Sequence, residues 1–272
     1  FKEIAYAIKN HPNEYDQYVK NAMKQGLRYP DACNQALSLL LNKSIQTPND
    51  LLGLGYVKEV IENDYPITLH CIKRSNDYHD TTLTKIASAT ALRKALKEKQ
   101  DVHDYLLDMS YYDSLYHQND FFDYLKYQII IQSPTQLKKI HLVDEGIESL
   151  LKKVIFDTNS YEELVNSLTS KRYTKTRIQR MLLHILMNNT KDEIKNCFPI
   201  DYIHVLKMNQ KGQKYLKTIK KTCSYHIITN LSSYKHPALD LEIKSSKLLS
   251  LIDHQMIKKE FQNIPVIELS KR

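Results

Sequence analysis

Glycine is scarce in this chain, with 5 in 272 residues, and proline is little commoner at 8. These two residues make the tight turns on which many-stranded sandwiches and barrels depend. Their scarcity pushes the sequence towards long helices joined by few sharp corners. With 42% hydrophobic and 26% charged residues, the chain has enough apolar material for one large or two modest domains, and extensive disorder is disfavoured. No run approaches the roughly 20 apolar residues of a membrane span, and no signal peptide is expected. Cys33, Cys71, Cys197 and Cys223 lie far apart and lack the close pairings of a zinc site. Cys71 and Cys197 sit in apolar runs and read as small buried hydrophobes. The expectation is a reduced, cytoplasmic protein with no metal site and no membrane partner; no protein partner is indicated.

The spacing of apolar residues predicts the elements. Residues 1 to about 46 read as helical, beginning with an amphipathic stretch (Phe1, Ile4, Ala5, Ile8) and ending on Leu37, Leu39, Leu40 and Leu41. Because the chain opens inside a helix without an initiating Met, it reads as having lost an N-terminal portion. Thr47-Pro48-Asn49-Asp50 starts a further helix, with Thr47 as N-cap and Pro48 at its first position. That helix runs to Asn63. Pro66 opens a predicted strand, Ile67 to Ile72, ending in Lys73-Arg74. Ser88 or Thr90 caps a helix carrying Arg93. An acidic, tyrosine-rich stretch, Asp101 to Asp123, reads as a domain junction. Helices follow at Leu125–Ile131, Ile140–Phe156, Tyr161–Leu168 and Arg177–Met187. The tail alternates: strand-like at Tyr202–Met208, helical at Lys214–Lys221, strand-like at Tyr225–Thr229 and helical at Leu241–Ile252.

The net charge of +8 is unevenly spread. Lys171 to Arg180 (KRYTKTRIQR) and Lys207 to Lys221 (KMNQKGQKYLKTIKK) hold eleven cations and no acid, so the remainder is net −3. Local clustering of this kind is the electrostatic footprint of a nucleic-acid binder. In the first window Ile178, Met181, Leu182, Ile185 and Leu186 form one helical stripe. Arg177, Arg180 and His184 fall opposite, with Tyr173 one turn earlier. Guanidinium groups grip phosphates and an aromatic edge stacks a base; the alternative is an ordinary solvated face. In the second window Lys214, Lys217 and Lys221 share a face, which reads equally as backbone-positioning charge or plain surface.

Three short segments stand in order ahead of the first window: Thr47-Pro48-Asn49-Asp50-Leu51-Leu52-Gly53, Ile72-Lys73-Arg74, and Ile86-Ala87-Ser88-Ala89-Thr90-Ala91-Leu92-Arg93. Together with Ser170-Lys171-Arg172-Tyr173-Thr174-Lys175-Thr176-Arg177-Ile178-Gln179-Arg180, this order resembles the tRNA(Met) cytidine acetate ligase family of the HxGH nucleotidyltransferase superfamily. The resemblance spans essentially the whole chain. It implies an α/β, mostly helical fold: the remainder of a Rossmann-like nucleotidyltransferase domain at residues 1–98, then a mainly helical tRNA-binding domain at 99–272 with a small α/β tail.

The resemblance also implies chemistry. Acetate attacks the α-phosphate of ATP, with Mg2+ in attendance, to give acetyl-adenylate and pyrophosphate. The wobble cytidine of elongator tRNA(Met) then takes the acetyl group. Asn49 and Arg74 correspond to the family's ATP contacts. Ser88, Thr90 and Arg93 look like the superfamily's ISSTxxR-type phosphate element, though Ala87, Ala89 and Ala91 depart from it and a plain capped helix is the rival. His79-Asp80 is at most an orienting pair. Lys171, Arg172, Tyr173, Lys175, Arg177, Arg180 and His184 are the expected tRNA contacts. The HxGH segment, which would precede Phe1, is missing, so no catalytic histidine is assigned and the chain alone is expected to be inactive. Two alternatives remain: a non-catalytic helical tRNA-binding protein, and a small-metabolite adenylyltransferase of the same superfamily.

Overall fold

The computed structural model describes residues 1–45, 48–72, 82–105, 116–170 and 173–262. The chain divides into two compact units, Phe1–Leu115 and Tyr116–Arg272. The division falls within the acidic, tyrosine-rich stretch 101–123.

The first unit is helical. The single run expected over residues 1–46 is three helices: α1 (Lys2–Asn10), α2 (Pro12–Lys24) and α3 (Tyr29–Leu41). Pro12 breaks α1 from α2 by standing in the first turn of the latter, and Asn42 ends α3 in the left-handed conformation at φ 53°. α4 (Pro48–Glu62) packs on α1, while α2 packs on α3. Ile4, Ile8, Val19, Leu37, Leu54 and Ile61 meet in one core. Leu39, expected on the apolar face of α3, is 61% exposed instead. The Lys9 ammonium latches α1 to the end of α4, donating to the Ile61 carbonyl at 2.7 Å and pairing with Asp64 at 2.8 Å.

The predicted strand at 67–72 is not formed. Residues 65–72 run without regular structure, and Ile67 and Ile72 are exposed. A strand holds only where a neighbour takes up its N–H and C=O groups, and among the described residues none pairs with this segment. Cys71, expected to be buried, is likewise exposed, whereas Cys33 and Cys197 are buried. α5 (Ala89–Lys97) is the last described α-helix of this unit, and a short 3-10 turn, His103–Tyr105, follows it.

The second unit is built around α6 (Phe122–Ile131), α7 (Pro134–Leu137), α8 (Ile147–Val154), α9 (Tyr161–Leu168), α10 (Lys175–Leu186) and α11 (Lys191–Asn196). The helix expected from Ile140 begins only at Ile147. Leu142, Glu145 and Gly146 all take positive φ, a conformation no helix of L-residues sustains, so 140–146 is a turn. Ile129, Leu137, Leu151, Leu164, Ile178 and Leu182 are fully enclosed in one core.

A small α/β tail follows. β1 (Tyr202–His204) and β2 (His226–Ile228) pair in parallel, Tyr202 opposite His226 and His204 opposite Ile228. Parallel neighbours need a crossover, and α12 (Gln210–Ile219) supplies it. α13 (Pro237–Leu249) packs Leu239 against Ile228 and Leu231, and α14 (Met256–Gln262) follows. No described helix is long and apolar enough to cross a membrane.

Ile178 and Leu183 separate packing from mere position on α10. Ile178→Ala is expected to cost about 2–5 kcal/mol in urea unfolding of the second unit, whereas Leu183→Ala, half exposed, should change stability by less than about 0.5 kcal/mol.

Candidate nucleic-acid interface

α10 forms because its apolar residues repeat at helical spacing and Thr174 caps its start, the Thr174 hydroxyl accepting from the Arg177 N–H at 3.4 Å. Ile178, Met181, Leu182 and Ile185 are turned wholly inward. Its first turn carries no acid. Helix N-termini are partly positive and favour Asp or Glu, each worth about 0.3–1 kcal/mol. Here Lys175 and Arg177 occupy that turn, and Arg180 follows. The arrangement forgoes stability and leaves the N-terminal half of α10 strongly attractive to an anion. Among the described residues, Lys175 pairs with Glu162 at 3.9 Å with both side chains exposed, and such pairs contribute little.

Tyr173 does not stand free to stack a base. It is 8% exposed, donates its hydroxyl to the Asp144 carbonyl at 2.8 Å and contacts Glu145 at 3.2 Å. Burial, with Glu145 beside it, raises its pKa. The Arg177 guanidinium sits 4.3 Å from the centre of its ring. Tyr173 is therefore a fixed post that holds Arg177 by a cation–π contact.

His184 adds no positive charge at neutral pH. Burial, with His141 and Arg180 nearby, pushes its pKa down to about 4. The two imidazoles meet edge to face at 4.7 Å, and burial lowers His141 as well. His184 Nδ1 lies 3.3 Å from the Asn189 amide nitrogen, a donor, so Nδ1 accepts and the ring is neutral. Asn189 is buried and its side-chain oxygen accepts from Lys244 of α13 at 2.9 Å. The end of α10 is thereby tied to α13. Sequence spacing gave no sign of the His141 and Asn189 contacts, because they join residues from separate loops.

Beside Arg180 opens a cleft of about 460 Å³, lined by Tyr116, Phe121, Tyr161, Leu183 and Leu248 among others, with Thr176 and Gln179 at its polar edge. Lys171 and Arg172 lie outside the described residues.

In the first unit, Ser88 caps α5, its hydroxyl accepting from the Ala91 N–H at 3.0 Å. Thr90 and Arg93 are exposed one turn apart on that helix, near its N-terminus. Asn49 belongs to the first turn of α4, but its side chain lies outside the described set, as do Arg74, His79 and Asp80. Among the described residues no group of three or more His, Cys, Asp or Glu could hold a metal ion.

Residues 1–263 match the family model of the HIGH nucleotidyl transferases. The tRNA(Met) cytidine acetate ligase of Geobacillus sp. (strain WCH70) is 35% identical over 292 residues, covering 98% of this chain and 73% of its own. That of Bacillus subtilis is 34% identical, covering 96% of this chain and 68% of its own. The crystal structure of Thermotoga maritima TmcAL in its apo form superposes with a TM-score of 0.78 at 24% identity, covering 97% of this chain and 73% of that one. The same protein bound with alpha-thio ATP gives 0.77 at 23% identity, covering 97% and 72%. At that identity the two structures establish the fold, a nucleotidyltransferase fold with a helical domain.

The histidine pair makes stability depend on pH in a stated direction. The unfolded chain protonates His184 near 6.5 and the folded chain only near 4, so between these values the unfolded state binds more protons and stability falls as pH falls. The contribution is complete above pH 6.5 and lost towards pH 4. Thermal unfolding of His184→Gln should show a shallower slope than the parent from pH 6.5 to 5; an unchanged slope would mean that His184 titrates normally.

Proposed function

The chain belongs to the HIGH nucleotidyl transferase family and, within it, to the tRNA(Met) cytidine acetate ligases, and from that premise we propose that it serves ATP-dependent formation of N4-acetylcytidine at the wobble position of elongator tRNA(Met). An acetate oxygen attacks the α-phosphorus of ATP, the bond to the β-phosphate oxygen breaks, and pyrophosphate leaves. The cytidine N4 amine then attacks the acetyl carbonyl, loses a proton, and AMP departs. Both steps depend on alignment and on neutralising phosphate charge.

In this reading the N-terminus of α5 receives phosphate oxygens, with Thr90 donating a hydroxyl hydrogen and Arg93 a guanidinium fork. Ser88 holds that terminus in shape. Asn49 and Arg74 complete the nucleotide contacts. A Mg2+ ion would be held chiefly by the ATP phosphates and water, which needs no cage of protein carboxylates. Support for the nucleotide comes from the family itself and from a fold neighbour whose structure contains alpha-thio ATP.

The observation that carries the RNA half is the acid-free face of α10. A small substrate gives no reason for three cations, Lys175, Arg177 and Arg180, in the N-terminal half of a helix, the end that disfavours them, with no acid in the first turn. A phosphate backbone does. Arg177, held by Tyr173, and Arg180, at the mouth of the cleft, grip phosphates; Lys171, Arg172 and Lys175 add point charge. His184 supports the surface as a neutral neighbour.

Gel shifts with elongator tRNA(Met) at rising salt test this reading. Arg177→Ala with Arg180→Ala should weaken binding about tenfold or more and lower the salt slope by roughly 1–2. Binding indifferent to both arginines would contradict it.

A further inference from the structure

The charge of the second basic window extends well beyond the window itself. From Tyr202 to Leu239 there is no Asp or Glu, while Lys207, Lys211, Lys214, Lys217, Lys220, Lys221 and Lys235 all fall within that span. The span is one structural piece: β1, the crossover helix α12, β2 and the turn into α13.

α12 has a partly covered face and an open one. Gly212, Leu216 and Ile219 are half-buried and lie on one face. Lys214 and Lys217 lie opposite, and Lys221 stands in the turn two residues past the end of the helix; all three are exposed. Lys211 and Tyr215 flank them, and the Tyr215 ring is 62% exposed. Tyr225, just before β2, is 50% exposed. Lys9, Lys43, Lys58, Lys94, Lys191 and Lys244 each pair with a carboxylate. Among the described residues Lys211, Lys214, Lys217, Lys220 and Lys221 have no carboxylate within 4 Å. The lysines of the last turn complement the negative end of the helix. Lys211 and Lys214, near its start, have no such local reason, since that end repels cations.

We infer that α12 is a second RNA-binding surface, on which Lys214, Lys217 and Lys221 follow a phosphate backbone and Tyr215 stacks against an unpaired base. It rests on the tRNA reading above and adds a separate site to it. An anionic membrane is the less fitting partner, because a helix that lies in a membrane offers a broad apolar face to lipid, and among the residues of α12 only Leu216 and Ile219 are large aliphatics, both half-buried. Lysines position a backbone without reading sequence, so this surface grips any tRNA alike.

The test measures binding of elongator tRNA(Met) and of an unrelated tRNA against salt. Lys214→Gln with Lys217→Gln and Lys221→Gln should weaken both RNAs by a similar factor, tenfold or more, and reduce the salt slope by about 2. The corresponding triple Lys→Arg variant should keep the slope. Tyr215→Ala should weaken binding about tenfold with the slope unchanged. If the glutamine variant binds as the parent does while the α10 arginine variant is weakened, α12 is mere surface and only this inference fails. If the parent binds no tRNA, the tRNA reading fails and takes this inference with it. If the glutamine variant loses binding to phosphatidylserine vesicles but keeps tRNA, the surface is a membrane contact and the inference is overturned.

Discussion

Ile178, Met181, Leu182 and Ile185 expose no surface, and the second unit is arranged around them. Fully burying four such side chains contributes roughly 6–12 kcal/mol as an upper estimate. Placing cations in the first turn of the same helix costs well under 1 kcal/mol apiece. The difference decides what the sequence is free to do. With its inner face so firmly packed, α10 can carry an unfavourable set of charges on its outer face and still keep its place. The helix turns stability drawn from the core into a rigid array of cations.

The same economy runs through the polar contacts behind that face. Tyr173 gives up its ring to the core and its hydroxyl to Asp144 and Glu145, and in doing so fixes Arg177. His184 and His141 stay neutral beside Arg180, so they pack without adding like charge. Asn189 joins the end of α10 to Lys244 of α13, and α13 closes over β2. The basic helix and the α/β tail are therefore mechanically connected, although their charges lie far apart in sequence.

Much of this was legible from residues alone, and the exceptions have physical causes. The stripe of α10, Ile178 to Leu186, repeats at helical spacing over more than two turns. The cap of α5 reads in sequence as Ser88 or Thr90, and Ser88 is the one that accepts. Tyr173 was misread because its position beside the arginines was visible but its acceptors, in the loop before α8, were not. That loop was itself taken for helix, since positive φ at Leu142 and Glu145 leaves no mark in composition. The run Ile67–Ile72 has strand-like residues but no partner among the described segments, and apolarity cannot supply one. Leu39 belonged to a leucine run, and a run does not say which member faces out. Asn49 and Arg74 carry no pattern of their own, so only family resemblance singled them out, and their side chains lie outside the described residues.

The central claim is that the outer face of α10 touches tRNA. A photo-crosslinking amino acid at Thr176, exposed beside both arginines, reads that contact directly while leaving the arginines intact; Leu150 on α8, also exposed, serves as the reference position. The account predicts salt-sensitive crosslinks to elongator tRNA(Met) from position 176 and few from 150. Equal crosslinking from the two positions, or crosslinking from 150 alone, would contradict it.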